Sequence, residues 1–225
     1  MRFALHSLSD GFLLKILGST SDVQQRELMP ILRKLKESNK KIFDFKDLAE
    51  EIENSTLAKN IKAPLISWLN MAESMHIFSK TSTFDIFSLV EPGKLTIIDL
   101  SDILNVMQKQ IVVSYVSQKL FDLRRMGKVS PFVIVLEEAH NFIPQKASED
   151  FAIARPVFET IAREGRKFGA CLCLVSQRPI NLSTTVLSQC NTHLLLRIIN
   201  PNDLKHISES SEGMDTRSIS MITTL

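Results

Sequence analysis

Glycine is scarce in this chain, with 7 residues in 225, where proteins average about 7%. That excludes collagen-like and low-complexity architectures. It also leaves few places for a glycine-built loop to cradle a phosphate. Cysteine is scarcer. Cys171, Cys173 and Cys190 contain no CxxC pair, and an odd number in this pattern builds neither a disulfide framework nor a zinc site. They read as buried apolar residues in a reducing compartment. Net charge is also small, with 27 basic and 25 acidic residues giving +2, a balance that neither announces nor excludes nucleic acid. No apolar run approaches the ~20 residues of a membrane span, and the opening MRFALHSLSDGF has no signal-peptide core. The expectation is a cytoplasmic protein with no membrane partner. A hydrophobic content of 44% excludes intrinsic disorder and predicts a substantial core.

Two compositional halves are visible. Residues 1–85 read as a helical bundle. Ser21 or Asp22 caps a helix to about Glu37, with Val23, Leu28, Ile31, Leu32 and Leu35 on its apolar side and a kink or break expected at Pro30. Asp44 or Asp47 opens a short second helix. Asn54-Ser55-Thr56 is expected to cap a third, reaching about Met75, with strand pieces near 77–89. Residues 86–225 alternate short apolar runs with helical patterns: LTIID (95–99), a helix at 106–126, FVIVL (132–136), a helix at 152–168, ACLCLVS (170–176) and HLLLRI (193–198). Continuous apolar runs predict strands buried on both faces, as in a parallel sheet flanked by helices.

The strongest chemical signal is FVIVLEEAH, where an apolar strand ends in Glu137 and Glu138. In open parallel sheets, ligands bind beyond the carboxyl ends of the strands. Paired acids there suit a hydrated Mg²⁺ and the water that attacks a γ-phosphate, or else are surface charges. The next strand ends in Gln177, whose amide suits sensing a γ-phosphate, or which is a turn residue before Arg178-Pro179. Between them, Arg163, Arg166 and Lys167 either complement a helix dipole or reach a neighbouring subunit's nucleotide. Arg166 and Arg197 are further candidate nucleotide-binding groups, Arg197 from a strand expected to be buried. His140 fits no zinc pattern and reads as a structural turn residue. The serines lack a nucleophile elbow, and the basic stretch at Arg33, Lys34, Lys36, Lys40 and Lys41 reads as a solvated helix face.

VIVLEEAHNFIP, AREGRKFG, SQRPINLSTTVLSQCNTHLLLRIINPNDL and PGKLTIIDLSD together resemble the ATPase core of the archaeal HerA family, hexameric DNA translocases and helicases of the HerA/FtsK superfamily. The resemblance covers about residues 86–224. It implies a RecA-like P-loop NTPase fold in residues 86–225, with residues 1–85 as a helical insertion. It also implies ATP and Mg²⁺ as nucleotide and metal, with Glu137 near the metal and Glu138 as the catalytic glutamate. Gln177 becomes the sensor and Arg163 the finger acting on a neighbouring subunit. Double-stranded DNA, a NurA-type nuclease and a homo-hexameric ring are the implied partners, and end resection in double-strand-break repair the implied process.

One element of that pattern is missing. A phosphate loop needs G-x-x-x-x-G-K-[ST]. Gly18 is followed by Ser19-Thr20, Gly93-Lys94 by Leu95 and Gly127-Lys128 by Val129, and neither Gly-Lys pair has a glycine five positions before it. The expectation is therefore a fragment that carries the hydrolytic carboxylates without the nucleotide cradle, and that is inactive by itself. Other readings stay open: a non-catalytic module completing a partner's ATPase site, a conjugation-type DNA pump, or a winged-helix-like DNA binder in residues 41–90. Loops 144–155, with Lys146, and 178–185 are candidate pore-lining segments.

Overall fold

A computed structural model describes residues 2–16, 21–37, 42–146, 152–210 and 221–223. Its chain divides into two compact units, Met1–Leu89 with Leu100–Val112, and Val90–Asp99 with Val113–Leu225.

The first unit is mainly helical. Short strands β1 (Phe3–Ala4) and β2 (Phe78–Ser79) pair in parallel. Helices α1 (Asp10–Ile16), α2 (Asp22–Glu37), α3 (Phe45–Glu53) and α4 (Lys59–Ser74) supply the rest. Leu28, Leu32 and Leu35 of α2 are buried at helical spacing, whereas Val23 is exposed. Helices α2 and α4 both continue through an internal proline, Pro30 and Pro64, so of the kink or break expected at Pro30 the break does not occur. Helix α3 has a capping box: the Asp44 carboxylate accepts the Lys46 and Asp47 N–H groups, and Asp47 accepts that of Asp44. Lys80 pairs with Asp47 at 3.1 Å and Asp44 at 3.5 Å. Burial works to raise the Asp47 carboxyl, but the Asp44 N–H and the Lys80 ammonium outweigh it and hold it below its ordinary range. Helix α4 departs from expectation. Its N-cap is Ala58, with no side-chain cap. Lys62 reaches back instead to the Glu53 and Ser55 carbonyls.

In chain order, the next helix is α5 (Val106–Arg125), with Ile111, Val112, Tyr115, Val116, Leu120 and Leu123 all buried. In the second unit, strands β3 (Phe132–Leu136) and β4 (Ala170–Leu174) pair in parallel, in register from Phe132↔Ala170 to Leu136↔Leu174. Helix α6 (Arg155–Phe168) makes the crossover between them, as parallel pairing requires. Two short helices follow, α7 (Thr184–Leu187) and α8 (Pro201–Ser210). Gly165 lets α6 lie close on β4. A Cβ there would stand 2.2 Å from the Ala170 carbonyl oxygen. Gly169 then ends α6 in the left-handed region at φ 71°.

Three expectations about this unit are corrected. Residues 95–99 and 193–198 are not strands. They carry no ladder, and Leu95, Ile97, Leu194 and Leu196 are 83%, 79%, 91% and 82% exposed. Apolar composition expresses a demand for burial, but a strand exists only where a neighbour takes its backbone hydrogen bonds. Among the described residues no strand pairs with these segments. Nor are β3 and β4 buried on both faces. Val133, Val135, Cys171 and Cys173 alternate with more covered residues and form one open face. For the same reason Cys171 and Cys173 are exposed rather than buried; Cys190, outside the sheet, is half-buried.

Candidate functional site

The carboxyl edge of the β3–β4 pair gathers the candidate residues. Beyond Leu136 the chain enters Glu137 and Glu138. Glu138 adopts φ 47°, ψ 45°, a left-handed conformation that costs a non-glycine residue on the order of 1–2 kcal/mol. It leads into a 3₁₀ turn at Ala139–Asn141. Two backbone hydrogen bonds lock that turn to the neighbouring strand: Val175 N–H to the Leu136 carbonyl and Ala139 N–H to the Val175 carbonyl, both 3.0 Å. Ser176 and Gln177 follow directly, so Gln177 emerges, exposed, at the same edge as the two glutamates.

His140 bridges the two strand ends. Its Nδ1 lies 3.0 Å from Ser176 Oγ and 3.2 Å from a Glu138 carboxylate oxygen. Farther out, the loops after β3 and β4 pair antiparallel at Pro144 and Leu182. The backbone N–H groups of Gln145 and Ser183 donate across to the Asn181 and Ile143 carbonyls at 2.7 and 3.0 Å. Arg155, at the start of α6, holds the first loop by donating to the Pro144 and Gln145 carbonyls at 3.0 and 3.2 Å while pairing with Glu159 at 2.8 Å. Helix α8 holds the second. Buried Asp203 accepts the Ile180 N–H at 3.0 Å, and His206 Nε2 meets the Leu182 carbonyl at 3.0 Å. The acidic edge therefore rests on a braced double loop.

The arginines lie elsewhere. Helix α6 starts against Pro144 and Gln145 and ends at Gly169, whose carbonyl takes the Phe132 N–H at the start of β3. It therefore runs from the carboxyl edge back to the amino edge. At a rise of about 1.5 Å per residue, Arg163 sits about 12 Å and Arg166 about 16 Å down the helix from Arg155. Both are exposed. Arg197 is exposed on the unpaired segment 193–198, not on the expected buried strand. Within one chain the structure brings Glu137, Glu138 and Gln177 to one edge and does not bring Arg163 or Arg166 to it. Lys146 is exposed at the end of its described loop. Residues 147–151 of that loop, and Lys40 and Lys41 of the basic stretch, lie outside the described residues.

Sequence reasoning missed the bracing groups. Asp203, Arg155 and Ser176 carry no local signature. His140 stands inside the acidic motif, and that adjacency was the one available signal.

Among the described residues no cluster of three or more His, Cys, Asp or Glu side chains could hold a metal, and no helix is long and apolar enough to cross a membrane.

No protein-family model matches the chain. Over about half its length it is homologous to curated helicases. A probable helicase of Methanocaldococcus jannaschii is 38% identical over 51% of this chain and 23% of its own length. Two further relatives are DNA double-strand break repair helicases named HerA. That of Saccharolobus solfataricus is 36% identical over 58% of this chain and 27% of its own length. That of Pyrococcus furiosus is 33% identical over 58% of this chain and 29% of its own length. The chain thus spans about a quarter of the length of the curated relatives it matches.

Proposed function

We propose that this chain is the later part of a HerA-type, ATP-driven DNA translocase and helicase with a RecA-like core, acting in double-strand-break repair. One observation carries the reading: a parallel strand pair delivers Glu137, Glu138 and Gln177 to a single carboxyl edge, in a chain homologous to HerA helicases. Strand β3 serves as the Walker B strand. Glu137 is exposed at its end and would hold Mg²⁺, which neutralises phosphate charge when bound. Glu138 orients the attacking water and takes its proton as the water oxygen bonds to the γ-phosphorus and the bond to the β–γ bridging oxygen breaks, leaving ADP and phosphate. Gln177 hydrogen-bonds the γ-phosphate or the water from the adjacent strand end.

The placement of Arg163 well down α6 suits a finger acting on the next subunit's nucleotide, in a homo-hexameric ring around double-stranded DNA. Arg166 and Arg197 are secondary phosphate contacts in the same sense, and a NurA-type nuclease is the expected partner. The open sheet face at Val133, Val135, Cys171 and Cys173, and the exposed side chains of Leu95, Ile97, Leu194 and Leu196, support a further point. Another segment of a longer polypeptide, carrying the G-x-x-x-x-G-K-[ST] loop, completes this sheet.

Two measurements test the reading. The 225-residue chain should neither hydrolyse ATP nor bind labelled ATP with micromolar affinity, and either activity refutes the missing-cradle proposal. Restored to a longer protein carrying the phosphate loop, it should show DNA-stimulated ATPase activity that Glu138→Gln and Arg163→Ala each abolish. Full activity in both variants refutes the role assignments.

A further inference from the structure

The His140 bridge has a chemical consequence. Its side chain is 17% exposed and its Nδ1 faces two oxygens, Ser176 Oγ and a Glu138 carboxylate oxygen. A carboxylate only accepts. The Ser176 oxygen already accepts the Arg178 N–H at 3.1 Å and has a second lone pair available. One assignment satisfies both neighbours: a proton on Nδ1, shared between them. A bare Nδ1 would turn its lone pair toward the Glu138 carboxylate.

Ser176 sits immediately before Gln177, and Val175 is bonded to the backbone on either side of Glu137 and Glu138. The ring therefore ties the Glu138 carboxylate to the segment that presents Gln177. Glu138 has its backbone in the left-handed region and its side chain 46% exposed. The ring Nδ1, 3.2 Å away, gives that carboxylate its direction.

We propose that His140 is a positioning residue: its Nδ1–H fixes the Glu138 carboxylate relative to the end of β4 and so to Ser176–Gln177. This rests on the reading of Glu138 as the group that orients the lytic water. A lost hydrogen bond should then appear in turnover rather than in nucleotide binding. Misplacing a catalytic group by about 1 Å can cost up to about 100-fold.

Two measurements test it. In the 225-residue chain labelled with ¹⁵N-histidine, long-range ¹H–¹⁵N correlation should show the His140 proton on Nδ1, and a neutral ring carrying it on Nε2 overturns the proposal. In the longer ATP-hydrolysing protein, Glu138→Gln is measured first. If it keeps full activity, the reading of Glu138 fails, whatever His140 does. With hydrolysis abolished in that variant, His140→Phe keeps the ring but lacks the donor. It should lower kcat by about 10- to 100-fold at unchanged KM for ATP. His140→Asn, which returns an N–H near the Nδ1 position, should restore kcat to within about threefold of the parent. Unaltered kcat in His140→Phe, or an equal loss in both variants, overturns the proposal.

Discussion

The close approach of α6 to β4 permits a quantitative test. In Gly165→Ala the new Cβ would stand 2.2 Å from the Ala170 carbonyl oxygen and 3.1 Å from Ile161 Cγ2. The first obstacle is backbone, so no rotamer change relieves it. Helix and strand must separate by about 1 Å, opening gaps in a close-packed layer. Overpacking of this kind costs about 1–3 kcal/mol, and a backbone obstruction belongs at the upper end. Alanine's better helix propensity offsets about 1 kcal/mol. The net loss is about 2 kcal/mol, which corresponds to about 30-fold faster exchange at amides that open with the unit. Hydrogen exchange read by mass spectrometry over β3 and β4 is the suitable assay, because the two units need not unfold together. Gly11, in helix α1, is the control. A Cβ there meets nothing within 4 Å, so Gly11→Ala should be neutral or stabilising by up to about 1 kcal/mol. Parent-like exchange across β3 and β4 in Gly165→Ala would refute the α6–β4 packing described.

Three further outcomes follow from particular groups. In the 225-residue chain, Cys171 and Cys173 should alkylate readily while Cys190 lags, because burial, and secondarily the charge of Cys173, push the Cys190 thiol up. In the longer protein proposed above, the further segment should cover this face and protect Cys171 and Cys173, and peptide mapping of alkylated sites distinguishes these results. Asp47 has its carboxyl held below the ordinary range in the folded state, against about 3.9 unfolded. Its stabilising contribution is present above about pH 4 and is lost as pH falls through the lower folded value. Acid unfolding followed by Trp68 fluorescence should therefore be shallower in Asp47→Asn. At Glu138, the left-handed backbone should make Glu138→Val less stable than Glu138→Gly by about 1–2 kcal/mol, measured by urea titration. Equal stabilities would deny the strain.

Local elements were legible because their determinants are local. The helices beginning at Asp22, Phe45 and Val106 announce themselves through a cap or an apolar stripe. FVIVL and ACLCL are strands, as their composition predicts. Where the prediction depended on a distant neighbour it failed. Segments 95–99 and 193–198 have the same apolar character as β3, yet no strand stands beside them among the described residues. The left-handed positions of His76 and Glu138 were also illegible, since neither is glycine. His76 follows the Met75 C-cap of α4, its N–H donating to the Glu73 carbonyl. Glu138 is held by the backbone bonds of the Ala139–Asn141 turn.

The sequence alone determined the chemistry on offer: two adjacent carboxylates after an apolar run, an amide after the next, basic residues on the helix between them, and no phosphate loop. Residue order and type suffice for that, because strand and helix periodicity follow from nearest-neighbour geometry. Only the tertiary structure decided which groups meet. Parallel pairing of β3 with β4 sets Glu137, Glu138 and Gln177 on one edge. The antiparallel run of α6 carries Arg163 away from that edge, and the fold of two loops places His140 between Ser176 and Glu138. The strand pairing and the His140–Ser176 contact join residues more than thirty positions apart in the chain, and pairing and packing create them where no local pattern encodes them.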